Sequence, residues 1–179
     1  MAYNMKDVFY LDTGVNTDST NKKATVLDLS SYVDPISRGR AKGTGLAIYR
    51  VHFDICDDDG NSPVAATATG QFRAGLMSIT GLTSGTISLD SNTLNASNDL
   101  MIAGVDFAAG GTAAGDPAPH MFLEPSDEVP YVVVRDQVTL IVNPITAMSA
   151  EASVKVRLEC AQVTLDQATL NQLLRTQTV

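Results

Sequence analysis

Two histidines and two cysteines are the residues of this 179-residue chain best able to hold a metal or attack a substrate, and no two of them are neighbours in sequence. His52 and His120 are far apart, so a zinc site would need carboxylates gathered from several loops. Each reads instead as a surface imidazole, one on a strand and one in a loop. Cys56 and Cys160 are too few for a disulfide-dense secreted scaffold and read as isolated thiols. Asp57-Asp58-Asp59-Gly60 invites calcium, because Asp57 and Asp59 stand at alternate positions before a glycine. The first ligand position of such a loop, however, falls on Ile55, and its bidentate twelfth falls on Ala66. A tight Asp-Gly reversal accounts for the run. Gly43 and Gly45 lack the third glycine and following helix of a dinucleotide fingerprint. With no phosphate-binding loop, nucleophile elbow or Cys-x-x-Cys, the sequence predicts no enzyme, no metal site and no cofactor. Asn95-Ala96-Ser97 fits the glycosylation pattern, which an unsecreted chain would not use.

Charge is more informative. Twelve basic and twenty acidic residues give a net charge of −8, which argues against a protein whose main task is gripping phosphate backbones. From Ala74 to Val134 there is no Lys or Arg, while Asp90, Asp99, Asp106, Asp116, Glu124, Asp127 and Glu128 contribute −7. This segment is expected to face water and, in an assembling protein, to stay away from neighbours. Arg38, Arg40 and Lys42 form a short basic cluster before the first long strand. It reads either as a solvated loop or as a contact with nucleic acid or an acidic neighbouring subunit.

The elements that must position these residues are mostly strands. Ala47, Tyr49, Val51, Phe53 and Ile55 alternate with Arg50, His52 and Asp54, which predicts a half-buried strand over 45–56. A hairpin partner is expected at 64–72. A second clear strand spans 152–164, with Val154, Val156, Leu158 and Cys160 on one face and Ser153, Lys155, Arg157 and Glu159 on the other. Cys160 then faces the core and Cys56 the polar side, so the sulfurs should not meet unless a bulge shifts one register. Shorter strands are expected at 8–11, 24–29, 76–80, 86–89, 102–107, 131–134 and 138–142. Polar clusters at 13–21, 90–98 and 108–119 separate them. Eight or nine short strands punctuated in this way predict an antiparallel sandwich or barrel. One helix is expected over 165–176, with Thr164 and Gln167 as a capping box and an apolar stripe facing either its own sheet or a neighbouring subunit. No apolar run is long enough to span a bilayer, and the first residues lack the layout of a signal peptide.

Two stretches carry a resemblance. Leu27-Asp28-Leu29-Ser30-Ser31-Tyr32-Val33-Asp34-Pro35, a basic turn and Leu46-Ala47-Ile48-Tyr49-Arg50-Val51-His52-Phe53-Asp54-Ile55 form one. Val138 to Val142, Asn143-Pro144, Val154 to Val163 and a short helix form the other. Together these resemble the single jelly-roll major capsid proteins of tailless icosahedral viruses of prokaryotes. The resemblance implies a single jelly-roll domain over 1–179 of about eight strands, with an N-terminal arm at 1–23 and a C-terminal helix and tail at 165–179. It also implies a coat protein that self-assembles into a viral shell around the genome, located in the virion. Its partners would be copies of itself and a second capsid protein, with at most weak contact to packaged nucleic acid through Arg38, Arg40 and Lys42. The rival readings are a receptor- or glycan-binding sandwich and a cupin-type enzyme. Few aromatics in the long loops weigh against the first, and two scattered histidines against the second.

Overall fold

Apolar residues at every second position bury one face of a strand and leave the other to water, and strands dominate this chain. The computed structural model describes residues 8–18, 20–34, 42–57, 69–88, 93–110, 118–149 and 151–177. They form β1 (Phe9–Asn16), β2 (Lys23–Asp28), β3 (Lys42–Asp57), β4 (Thr69–Met77), β5 (Gly85–Thr86), β6 (Met101–Gly110), β7 (Ala118–Leu123), β8 (Tyr131–Val133), β9 (Gln137–Thr146), β10 (Ala152–Asp166) and α1 (Gln167–Thr176). One sheet has the order β1-β10-β3-β8 and the other the order β5-β2-β9-β4-β6-β7.

The partners count inward from the two ends of the chain. β1 lies beside β10, β2 beside β9, β3 beside β8, and β4 beside β6, all antiparallel. A long antiparallel hairpin rolled up on itself produces this order, so β1 to β4 alternate between the sheets and β8 to β10 alternate back. That is the jelly roll. The expected all-β, antiparallel jelly-roll sandwich with a short C-terminal helix is therefore present, with β5 and β7 added at the edges of the larger sheet. Between the sheets lies an aliphatic core including Leu46, Ile48, Leu76, Leu140 and Leu158, in which Phe72 and Phe107 stack at 5.0 Å.

Several local expectations change. β4 is no hairpin partner of β3. It runs as one strand where two were expected, and it lies in the opposite sheet between β9 and β6. β10 takes the place beside β3 because its alternation matches β3 all the way from Asp57 to Lys42. The pairing slips at one point: Glu159 faces Arg50 and Cys160 faces Ile48, so Tyr49 is an extra residue on β3. A bulge of this kind flips the strand's faces. Leu46 and Ile48 consequently join Val51 in the core, whereas Ala47 turns to the opposite face and Phe53 is only partly buried. β7 was not expected, because its strand follows a glycine-rich loop and contains Pro119, a residue tolerated on edge strands. Residues 9–16 of the expected N-terminal arm are strand β1, paired along its whole length with β10.

The helix begins two residues later than expected. β10 continues through Thr164 to Asp166, whose carboxylate accepts the Thr169 N–H at 2.7 Å and caps α1. That bond holds the Asp166 carboxyl below the usual carboxylate range. α1 packs on its own sheet, against β10 and β3. Leu170 is its buried residue and sits where a side chain at Gly43 would have to go.

Candidate functional site

The two sheets treat their outward faces differently. On the larger sheet Ala24, Ile141, Gly75 and Gly104 stand in register across β2, β9, β4 and β6. The paired glycines leave a trough, because a Cβ on Gly75 would meet Leu94 and Met101 at 2.9 Å and a Cβ on Gly104 would meet the Phe122 ring. Leu94 and Leu100, from the connection after β5, and Met101 fill the space with Met77, forming a second apolar cluster outside the sandwich. Arg73 fastens this cover. Its guanidinium makes two bonds to Asp106, at 2.6 and 2.7 Å, donates to the Leu94 carbonyl at 3.2 Å and lies 4.5 Å from the Phe122 ring centre. Around Gly75 and Gly104 the larger sheet is thus buried on both faces, while Gln71 and Ala108, further along the same outer face, stay exposed.

The smaller sheet is covered over half its outer face. α1 closes the end near Gly43, Gly45 and the buried, in-register pair Ala47 and Ala161. After Thr176 the chain also guards the edge strand β8. The Val134 N–H donates to the Gln177 side-chain oxygen, and the Gln177 amide nitrogen donates to the Val132 carbonyl. Unpaired strand edges invite association, and this edge is satisfied by the chain's own amide.

The other half of that face is bare. It is a lattice of charges in three cross-strand rows: Tyr10, Glu159 and Arg50; Asp12, Arg157 and His52; Gly14, Lys155 and Asp54. His52 Nε2 lies 2.9 Å from Glu159, Arg50 pairs with Asp127 at 3.0 Å, and Arg157 leans over the Tyr10 ring at 5.6 Å. Among these rows runs an open groove of about 870 Å³. Gly14, which has no side chain, keeps its β1 side low.

The candidate chemical residues are dispersed. His52 is on the smaller sheet, and His120 is exposed on β7 of the larger sheet in register with Asp106, so the two imidazoles share no site. Among the described residues no group of three or more His, Cys, Asp or Glu could hold a metal ion. The sulfurs stay apart as expected, and both thiols are free. Cys56 faces Ser153 and Cys160 faces Ile48, about 23 Å apart along β10. Cys56 is nevertheless buried rather than on a wet face, and its thiol contacts the Ser153 carbonyl. Burial pushes the Cys160 thiol up to about 12, which leaves it unreactive at neutral pH. Lys42 is exposed at the start of β3, opposite Asp166, while Arg38 and Arg40 lie outside the described residues, as do Asp58, Asp59, Gly60 and Ala66.

No family model matches the chain, and no curated protein matches it. Among solved structures, Human Polyomavirus 12 VP1 in complex with 3'-sialyllactosamine is similar at a TM-score of 0.47 and 8% identity, over 90% of this chain and 100% of that one. Apo VP1 of New Jersey Polyomavirus gives 0.47 and 6%, over 89% and 100%. VP1 of trichodysplasia spinulosa-associated polyomavirus, in complex with GM1 oligosaccharide, gives 0.47 and 8%, over 93% and 98%. Likenesses of this degree identify neither a family nor a ligand for this chain. All three are polyomavirus proteins, whereas the sequence resemblance is to proteins of viruses of prokaryotes.

The acidic segment is not one wet surface. Asp99, Glu124, Asp127 and Glu128 are exposed as expected, but Asp106 is half-buried against Arg73, and most of β4, β6 and β8 in this segment is core. The bare face was partly visible in the alternating charges of β3 and β10. The contribution of β1 was hidden because Thr13 to Asn16 read as the start of a loop.

Proposed function

We propose that the chain is a viral coat protein, one jelly-roll domain whose copies assemble into the shell of a virion around its genome. The observation that carries the proposal is the rolled-up strand order, since double-sheet jelly rolls serve as capsid subunits, lectin domains and cupins. Fold alone does not assign function, and particular features of this chain favour the first use. Phe72, Phe107 and aliphatic side chains pack the space between the sheets, which supports a structural rather than catalytic role. One outward face is covered by the chain's own apolar connection around Gly75 and Gly104, while a charged half of the other is left open. No helix among the described residues is long and apolar enough to cross a membrane.

The finer reading, a shell of a tailless icosahedral virus of prokaryotes, rests on the resemblance in 27–35 and 46–55. In such a shell a second capsid protein shares the lattice. Arg38, Arg40 and Lys42 face the interior or a subunit junction, because a packaged genome repels the exposed acids of the β7–β8 connection. Three cations give weak, salt-sensitive contact with nucleic acid at most. A second reading, a receptor- or glycan-binding sandwich, draws on the polar groove beside the exposed Tyr10 ring. Light scattering across salt and protein concentration separates the two. Screening weakens repulsion between net-negative subunits, so a coat protein grows in mass as salt rises, whereas a binding module stays monomeric.

A further inference from the structure

The bare half of the smaller sheet differs from the rest of the molecule in charge. The chain carries −8, so copies repel one another over most approaches. On this face Asp12, Asp54, Asp127 and Glu159 stand against Arg50, Lys155 and Arg157, with His52 among them, within one charge of neutrality. Among the described residues no ion pair engages Asp12, Asp54 or Lys155.

The order of the charges is self-complementary in two of the three rows, the middle one setting Arg157 beside His52. β10 and β3 lie side by side, with Glu159 opposite Arg50 and Lys155 opposite Asp54. A two-fold axis running along the strands midway between β10 and β3, with two copies face to face, sets each residue of one strand over the copy of its own in-register partner. Lys155 then meets Asp54 of the second copy, Asp54 meets Lys155 of the second copy, and Glu159 and Arg50 meet in the same reciprocal way. Such an isologous contact needs only one surface, already charged with both signs. We infer that this face is a two-fold contact between copies of the chain, with Lys155 and Asp54 as its reciprocal ion pair.

The inference rests on the coat-protein reading and says where one of its contacts lies. Twelve residues line the groove, about half of the 20–30 that each side of a standard interface supplies. A single contact is therefore weak, as suits a subunit that associates only when many contacts close together.

Charge exchange tests it. Lys155→Glu faces Asp54 of the second copy with a like charge, and Asp54→Lys faces Lys155 with another, so each variant alone should need at least about tenfold more protein to associate in sedimentation velocity. The double exchange Lys155→Glu with Asp54→Lys should restore association, and so should an equal mixture of the two single variants, because opposite charges then meet in trans. Both residues are exposed, so thermal melting should stay within a degree or two of wild type. Single variants that associate like wild type, or a double exchange that restores nothing, overturn the inference and leave this face to another occupant such as a receptor or saccharide. A wild-type chain that never associates overturns the coat-protein reading along with it.

Discussion

The outer face of the six-stranded sheet and the bare half of the four-stranded sheet begin from the same geometry, alternate side chains directed away from the sandwich, and end in opposite states. Gly75 and Gly104 lower one surface enough for Leu94, Met101 and Phe122 to seat in it, and Arg73 ties the covering connection down. Arg50, His52, Asp54, Lys155, Arg157 and Glu159 raise a charged lattice on the other, which Asp127 of the β7–β8 connection meets at Arg50 and which is otherwise open as a groove. A sheet face is closed by small residues beneath an apolar loop and kept open by long charged ones. In a protein that works by association, the open face is where partners are to be sought.

The sharpest test of this contrast places the same charge on both faces. Met101→Asp puts a carboxylate in the sealed cluster, where Met101 is 3% exposed, and an unpaired buried charge costs several kcal/mol. Against a total stability of about 5–15 kcal/mol, most of the soluble yield should be lost. Lys155→Glu, on the exposed outer face of β10, should change stability by less than about 0.5 kcal/mol. Equal losses of melting temperature would show that the two faces are not distinct.

Gln177→Ala probes the device that closes the β8 edge. Losing both amide bonds leaves the Val132 carbonyl and the Val134 N–H without partners, a cost of about 1–3 kcal/mol. Melting should fall by roughly 2–10 °C for a chain of this size. An unchanged melting temperature would mean that the edge needs no guard.

The smallest effect on stability is expected from changing Arg38, Arg40 and Lys42 together to Ser. Melting should be nearly unchanged, as for surface substitutions generally, while assembly or genome packaging weakens. A large drop in melting would make the cluster structural. Normal assembly and packaging would make it a solvated loop.

Much of the fold was legible because β3 and β10 alternate over long runs, and a two-residue period has one structural meaning. The rest was hidden by events that local pattern does not encode. The extra residue at Tyr49 inverts the faces of β3 and becomes visible only once β10 is laid against it. Leu94 fell inside the expected polar cluster at 90–98, and Leu100 and Met101 between it and the next strand, because the glycine trough that receives them is assembled from two distant strands. Thr164 read as a helix cap on good local grounds, but sheet pairing carried β10 to Asp166, whose carboxylate does the same work. The charge lattice was half legible: its β3 and β10 residues alternate plainly, while Asp12 and Asn16 were read outside any alternating pattern.

Negative-stain electron microscopy of the purified chain, concentrated and taken through rising salt, shows whether copies tile into a shell. Closed particles or curved sheets of regular spacing should appear as repulsion is screened and disperse when salt is removed. Fields of isolated monomers at every concentration and ionic strength would overturn the coat-protein reading.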